Sequence, residues 1–421
     1  MPHRSLPLAA LGLLSPLLLA CGADTGGSPE TPDVSAGADA SAYAGEDDHG
    51  DVAGAAELDE PPVGLTTVDA GGVVRHLDLL DESVTGLADL GSARAVHTDG
   101  RYAFVQTDGG VDVVDSGVWT WDHLDHFHYY RAEPRDLGLV EGEGAATVAT
   151  TASSTSGGTG LLFGETGEAV LLDTAALAAG EISELFRTRV EPHDGMLVPV
   201  GAYALLTEPG PTGAPVRVVG LDASGQPLPD ATYPCRDAAG TLTTRVGTVV
   251  GCADGALLAT TVDDELVVER IDYPRGTTAP PATAFAARDG RPTVAALAGQ
   301  DQVWLLDTRA RSWRLLGSPV PLQQVTAVDD DDEHVVGLTT DGRVAVLDGA
   351  SGELLATSGP LARESLRTGT GVPTLVVDQQ RAYLSAPAEG RLHEIDFADD
   401  ARVARTFETP TPPLLLAGTG R

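Results

Sequence analysis

Basic residues are scarce in this chain. It has 26 lysines and arginines against 62 aspartates and glutamates, a formal net charge of −36. Nucleic-acid binding needs positive surface along the phosphates, so that class of function is excluded. The acidic surplus favours solubility and weakly attracts cations. A composition rich in alanine, glycine and aspartate explains the surplus equally well. Cysteine is rarer still, with three residues in 421. Two of them, Cys235 and Cys252, lie deep in the chain, and two thiols so far apart make only half of a structural zinc site. In an exported protein such a pair reads as one disulfide, contributing about 3 kcal/mol through loop closure.

Long apolar runs are also missing beyond residues 6–20. That run follows Arg4 and is too short to stay in a bilayer as a span. It ends in Leu18-Leu19-Ala20-Cys21-Gly22. A small residue before a cysteine, after an apolar core, predicts a bacterial lipoprotein signal, with residues 1–20 removed and Cys21 lipidated. An ordinary secretory signal ending in a chance cysteine is the alternative. The expected location is the outer face of the cell membrane, held only by the lipid. Residues 21–62 are dominated by small and acidic residues, so they predict a disordered acidic tether. His49 sits there in Glu46-Asp47-Asp48-His49-Gly50-Asp51, either as a mobile cation-capturing group or simply as a tether residue.

From about residue 63 to 421 the texture is constant. Apolar stretches of four to six residues alternate with glycine- and aspartate-rich turns, and many end in aspartate after two or three aliphatics. Asp78, Asp115, Asp173, Asp222, Asp272, Asp307, Asp348 and Asp396 mark eight such recurrences, about 35 to 60 residues apart. This pattern predicts an all-β fold, a β-propeller of seven or eight four-stranded blades. The opening unit lacks an innermost strand, and residues 412–417 are placed to supply it and close the ring. Helical periodicity is nearly absent, with at most a short helix within residues 175–185. The run Asp329-Asp330-Asp331-Asp332-Glu333 lacks the spacing and central glycine of a calcium loop and reads as a solvated turn.

The most informative segment is Trp121-Asp122-His123-Leu124-Asp125-His126-Phe127-His128-Tyr129-Tyr130. Three of the ten histidines fall within six residues there. Imidazoles and carboxylates are the N/O donors that Zn²⁺ accepts. In an extended segment His126 and His128 share a face, and a turn brings in His123. Asp122 or Asp125 would serve as a ligand or orient an imidazole. A surface loop with ordinary hydrogen bonds is the competing reading. The cluster follows the strand ending at Asp115, read as an outer strand, in an insertion. A further ligand would have to come from another blade. His193, just before an inner strand at residues 196–200, is the first choice and His97 the second. No Ser-His-Asp order with a nucleophile elbow is present.

On these residues the chain resembles the extracytoplasmic zinc metallochaperones called AztD. The segments that carry the resemblance are Asp122-His123 through Asp125-His126-Phe127-His128-Tyr129-Tyr130-Arg131, Pro192-His193-Asp194-Gly195, Cys235 with Gly251-Cys252-Ala253-Asp254-Gly255, Gly418-Thr419-Gly420-Arg421, and His49-Gly50. The resemblance covers roughly residues 45 to 421. It implies a propeller that holds Zn²⁺ at the channel mouth and passes it to the solute-binding protein of a zinc ABC importer. The ligands it implies are His123, His126, His128 and His193, with His49 assisting capture. The chain departs from the family pattern in three places, one being the tether, which has the single histidine His49 where the family tends to have several. Asp194 stands where the family has a second histidine, and residues 236–240 lack the family's histidine after the first cysteine. A thinner ligand set implies weaker zinc binding, use of Asp194 instead, or loss of the metal. The expected protein is a monomer and not an enzyme. A metal-free interaction module and a metal-dependent propeller hydrolase or lactonase are the alternatives.

Overall fold

The computed structural model describes residues 50–122 and 126–420. The fold is all-β. Seven four-stranded and two three-stranded antiparallel sheets hold the strands of the described residues. Among these residues no helix is long and apolar enough to cross a membrane.

Eight sheets follow one another along the chain. The first pairs Gly64–Val68, Val73–Asp78 and Val84–Asp89, and takes Leu415–Thr419 as its fourth strand. The second has Ala95–Thr98, Tyr102–Gln106, Gly110–Asp115 and Arg135–Glu141. The third runs from Ala146–Thr150 to Glu184–Arg189, the fourth from Leu197–Val200 to Pro227–Pro234, and the fifth from Thr241–Thr244 to Glu265–Asp272. The seventh spans Leu322–Ala327 to Leu354–Thr357, and the eighth Leu375–Val377 to Arg402–Glu408. The sixth keeps three strands, Thr293–Leu297, Gln302–Asp307 and Ser312–Gly317. Isolated bridges at Ala286 and Ala287 stand in for its first. Trp304, on its middle strand, stacks on Tyr273 at 4.5 Å and donates its Nε1–H to the Pro280 carbonyl at 2.8 Å, which ties the sheet to the segment after the fifth.

The aspartate pattern has a local cause. Asp78, Asp115, Asp173, Asp222, Asp307 and Asp348 each accept the backbone N–H two residues on. The carboxylate thus closes the turn where the third strand of a sheet gives way to the next element. Asp396 also ends a third strand, but is held by Arg381 and Arg402. Asp272 differs, because it ends the fourth strand of its sheet. In the third sheet Asp173 also caps the helix Thr174–Ala179, which Gly180 ends in the left-handed region.

Inner strands such as Tyr102–Gln106, Gly158–Phe163 and His334–Thr339 are buried at every residue, so each sheet has two apolar faces and each face packs on a neighbouring sheet. Val68 and Val74 of the first sheet cluster with Val105 and Val114 of the second. Similar clusters join each later sheet to the next. The eighth sheet meets the first where Leu392 and Tyr383 pack with Leu65 and Leu416. Side chains such as Leu65, Leu161 and Leu162 are fully buried, each stabilising by about 1.5–3 kcal/mol relative to exposure. Cys235 and Cys252 form a disulfide. It lies in the cluster between the fourth and fifth sheets.

The ninth, smaller sheet is an insertion into the second. Val118–Asp122 and Phe127–Arg131 form a hairpin between the third and fourth strands of that sheet, and Ala56–Leu58 adds antiparallel to the hairpin's second strand. Two sequence expectations change here. The strand ending at Asp115 is the third of its sheet, and Arg135–Glu141 is the outer one. Residues 56–58, expected in a disordered tether, are paired strand because the hairpin leaves an edge that they complete. The run at residues 329–333 is the turn expected, but a well-bonded one. Asp329 accepts hydrogen bonds from Arg291 and Arg309, and Asp330 pairs with His334.

Candidate metal centre

The period of two puts His128 and Tyr130 on one face of the hairpin, with Trp119 and Trp121 directly across from Tyr130 and His128. The His126 ring lies beside His128, with centroids 4.6 Å apart. Trp121 stands 5.9 Å from His128, and Tyr130 stacks on Trp119 at 5.3 Å. The two imidazoles therefore sit side by side against an aromatic wall.

The wall is anchored in the second sheet. Arg101 places its guanidinium 3.8 Å over the Trp119 ring. The same guanidinium makes two hydrogen bonds to Asp115, at 2.9 and 2.8 Å, in a fully buried pair. A cation desolvated against indole is held more strongly than one in water. Trp119 also donates its Nε1–H to the Gly50 carbonyl at 3.1 Å. Gly50 has φ +70°, and a Cβ there would come within 2.3 Å of the Trp121 ring, so only glycine fits.

The hairpin touches two further sheets. Arg131 pairs with Asp78 of the first. Thr120 donates to the Gly420 carbonyl at 2.9 Å, just after the strand that completes the first sheet. Arg245, in the turn between the first two strands of the fifth sheet, reaches Asp122 at 2.7 Å. Glu57, on the added strand, accepts a hydrogen bond from His128 Nδ1 at 2.6 Å. Sequence reasoning missed Glu57, since a lone acid in an acidic segment carries no spacing signal.

His193 is not brought to this cluster. In a four-stranded meander the first-to-second and third-to-fourth links share one end of the sheet. The crossing to the next sheet lies at the other end. The hairpin is a third-to-fourth link, whereas His193 and the exposed Asp194 lie in a crossing, between Glu184–Arg189 and Leu197–Val200. His193 is buried with both ring nitrogens engaged, Nδ1 at 2.8 Å from the Glu191 carbonyl and Nε2 at 2.9 Å from Thr207 Oγ1. It is a structural histidine of the fourth sheet.

His97 lies at the same end of the sheets as the hairpin. It lies near the end of the first strand of the second sheet and lines a cavity of about 350 Å³. Thr150, Thr243, Val377 and Gly418 line the same cavity from four other sheets, and Arg288 from the segment before the sixth. The His97 side chain is exposed to the cavity, and the protein packed around it, by partly desolvating the ring, lowers its pKa and favours the neutral imidazole. His49, His123, Asp125 and Cys21 lie outside the described residues. Among the described residues no three His, Cys, Asp or Glu side chains form a group that would hold a metal.

No family model matches the chain. The zinc chaperone AztD of Citrobacter koseri is 24% identical over 340 residues, 77% of this chain and 78% of its own length. The crystal structure of C. koseri AztD aligns with a TM-score of 0.70 at 20% identity, covering 85% of this chain and 97% of that one. The apo structure of the same protein gives a TM-score of 0.71 with the same coverage. In sequence and in fold, the chain is AztD-like.

Proposed function

We propose that this protein is an extracytoplasmic zinc metallochaperone built on an eight-bladed β-propeller. Eight successive sheets joined face to face, with residues 415–419 completing the first, support the blade count and a closed ring. The cavity lined by His97 is then the mouth of the central channel. The zinc ligands are His126 and His128 with His123 or Asp125 from the hairpin, and His97 rather than His193 from the channel wall. The observation that carries this reading is the pair of imidazoles with centroids 4.6 Å apart on a hairpin anchored beside that mouth. Similarity to AztD along most of the chain supports carriage of zinc rather than catalysis.

The remaining assignments follow from the sequence. Residues 1–20 are a lipoprotein signal, Cys21 carries the lipid, and the segment up to His49 is a tether whose histidine helps capture the ion. The partner is the solute-binding protein of a zinc ABC importer, and the chaperone acts as a monomer. A site of mixed imidazole and carboxylate ligands suits exchange, since transfer needs a metal that can leave. Equilibrium dialysis against zinc tests the reading. One tightly bound ion in the wild type, lost in His126→Ala and His128→Ala, is expected. Absence of bound zinc in the wild type would overturn it. Delivery to the solute-binding protein in the presence of a chelator, without capture by the chelator, then separates carriage from passive binding.

A further inference from the structure

The contact between Glu57 and His128 joins two segments 71 residues apart in sequence. Glu57 sits opposite Tyr130 in the added strand, so His128 is its diagonal neighbour on the same face. An ionised carboxylate accepts hydrogen bonds and cannot donate them. A 2.6 Å contact to Nδ1 therefore places the imidazole proton on Nδ1. The lone pair available to a metal is then on Nε2.

The strand that carries Glu57 is itself fixed. It pairs through Ala56, Glu57 and Leu58, and upstream Gly50 is held under Trp119 and against Trp121. The carboxylate is thus delivered by the segment that leads directly to His49.

We propose that Glu57 is a positioning residue. It fixes the tautomer and the ring of His128, and it couples docking of residues 50–58 to zinc binding. The proposal rests on the reading of His128 as a zinc ligand. Metal on Nε2 withdraws electrons from the ring and strengthens the Nδ1–H bond to the carboxylate, so each event favours the other to the same extent. A docked segment holds zinc more tightly, and zinc holds the segment down. A carrier so built releases its ion more readily when the segment lifts.

Three forms, wild type, Glu57→Gln and Glu57→Ala, test this as full-length folded protein. Nitrogen-15 histidine NMR of the metal-free forms reads the tautomer. Wild type and Glu57→Gln should show His128 protonated on Nδ1, and Glu57→Ala a mixture. Zinc dissociation constants should rise about 10–100-fold in Glu57→Ala and less in Glu57→Gln, whose amide oxygen still accepts the bond. Amide exchange at residues 56–58 should slow on adding zinc to the wild type and not in Glu57→Ala. An unchanged tautomer in Glu57→Ala overturns the positioning role. A changed tautomer with unchanged zinc affinity overturns the coupling. If the tautomer shifts but wild type binds no zinc, positioning stands and the zinc-carrier reading falls.

Discussion

Arg245 donates a hydrogen bond to the Asp122 carboxylate at 2.7 Å, across 123 residues of sequence. It ties the free end of the His128 hairpin to the fifth sheet, while Arg101 and Asp78 hold the hairpin's base at the second and first.

Both partners of that bond are partly exposed, so its worth to global stability is small, about 1 kcal/mol or less. Its effect on local motion is larger, because it is the outermost anchor. In Arg245→Ala the unfolding midpoint should barely move, while amide exchange over residues 118–122 speeds up. Exchange mass spectrometry checks this, and unchanged protection across the hairpin would show that the bond restrains nothing.

His97 and His193 should separate cleanly. His97→Ala is expected to lower zinc affinity with little change in stability. His193→Ala should keep its zinc and lose about 0.5–3 kcal/mol, because it removes a buried ring bonded to both the Glu191 carbonyl and Thr207. Calorimetric titration with zinc and urea melts of the two variants decide it. The reverse outcome would move the site to the other end of the sheets.

The Arg101–Asp115 pair is fully buried. Asp115→Ala leaves a buried guanidinium without its carboxylate and should cost about 3–5 kcal/mol. Because the same guanidinium lies over Trp119, the indole fluorescence should also shift. A loss below 1 kcal/mol with an unchanged spectrum would contradict this anchoring.

Two buried groups oppose each other as pH changes. Burial lowers His76 from 6.5 to about 4, with Asp78 raising it and Arg131 lowering it further. The unfolded chain takes up that proton first, so this contribution is present above pH 6.5 and is lost as pH falls toward 4. Burial raises Asp99 from 3.8 to about 7, and its Oδ2 has no hydrogen-bond partner. Here the folded chain keeps a proton that the unfolded one releases, so stability is present below pH 3.8 and is lost as pH rises through 7. Asp99→Asn should therefore gain on the order of 1–3 kcal/mol at pH 8 and almost nothing at pH 4. His76→Gln should flatten only the acid limb. Urea melts at pH 4, 6 and 8 measure both, and a gain from Asp99→Asn that is the same at every pH would rule out ionisation as its cause.

Much of the fold was legible in sequence because its signals are local. An aspartate that binds the N–H two residues on leaves the same mark in each repeat, as at Asp173 and Asp348. The missing strand of the first unit was legible too, since Gly64–Val68 opens with no partner before it and residues 415–419 form the strand that pairs with it. Asp272 carried the mark from a different strand, the fourth of its sheet. The site was less legible, for a physical reason. Nearness to an inner strand does not say which end of the sheet a residue occupies. That ambiguity put His193 ahead of His97. Glu57 was invisible, because a three-residue strand exists only where the hairpin provides an edge for it.

The bond from Thr120 to the Gly420 carbonyl has a consequence for timing. Gly420 in turn donates its N–H to the Gly100 carbonyl at 2.7 Å. The hairpin thus rests on residues made 300 positions after it. A nascent chain that has not reached residue 415 holds every histidine of the cluster and lacks the floor on which the hairpin rests. On the function proposed above, uptake of metal would then wait until residues 415–420 dock.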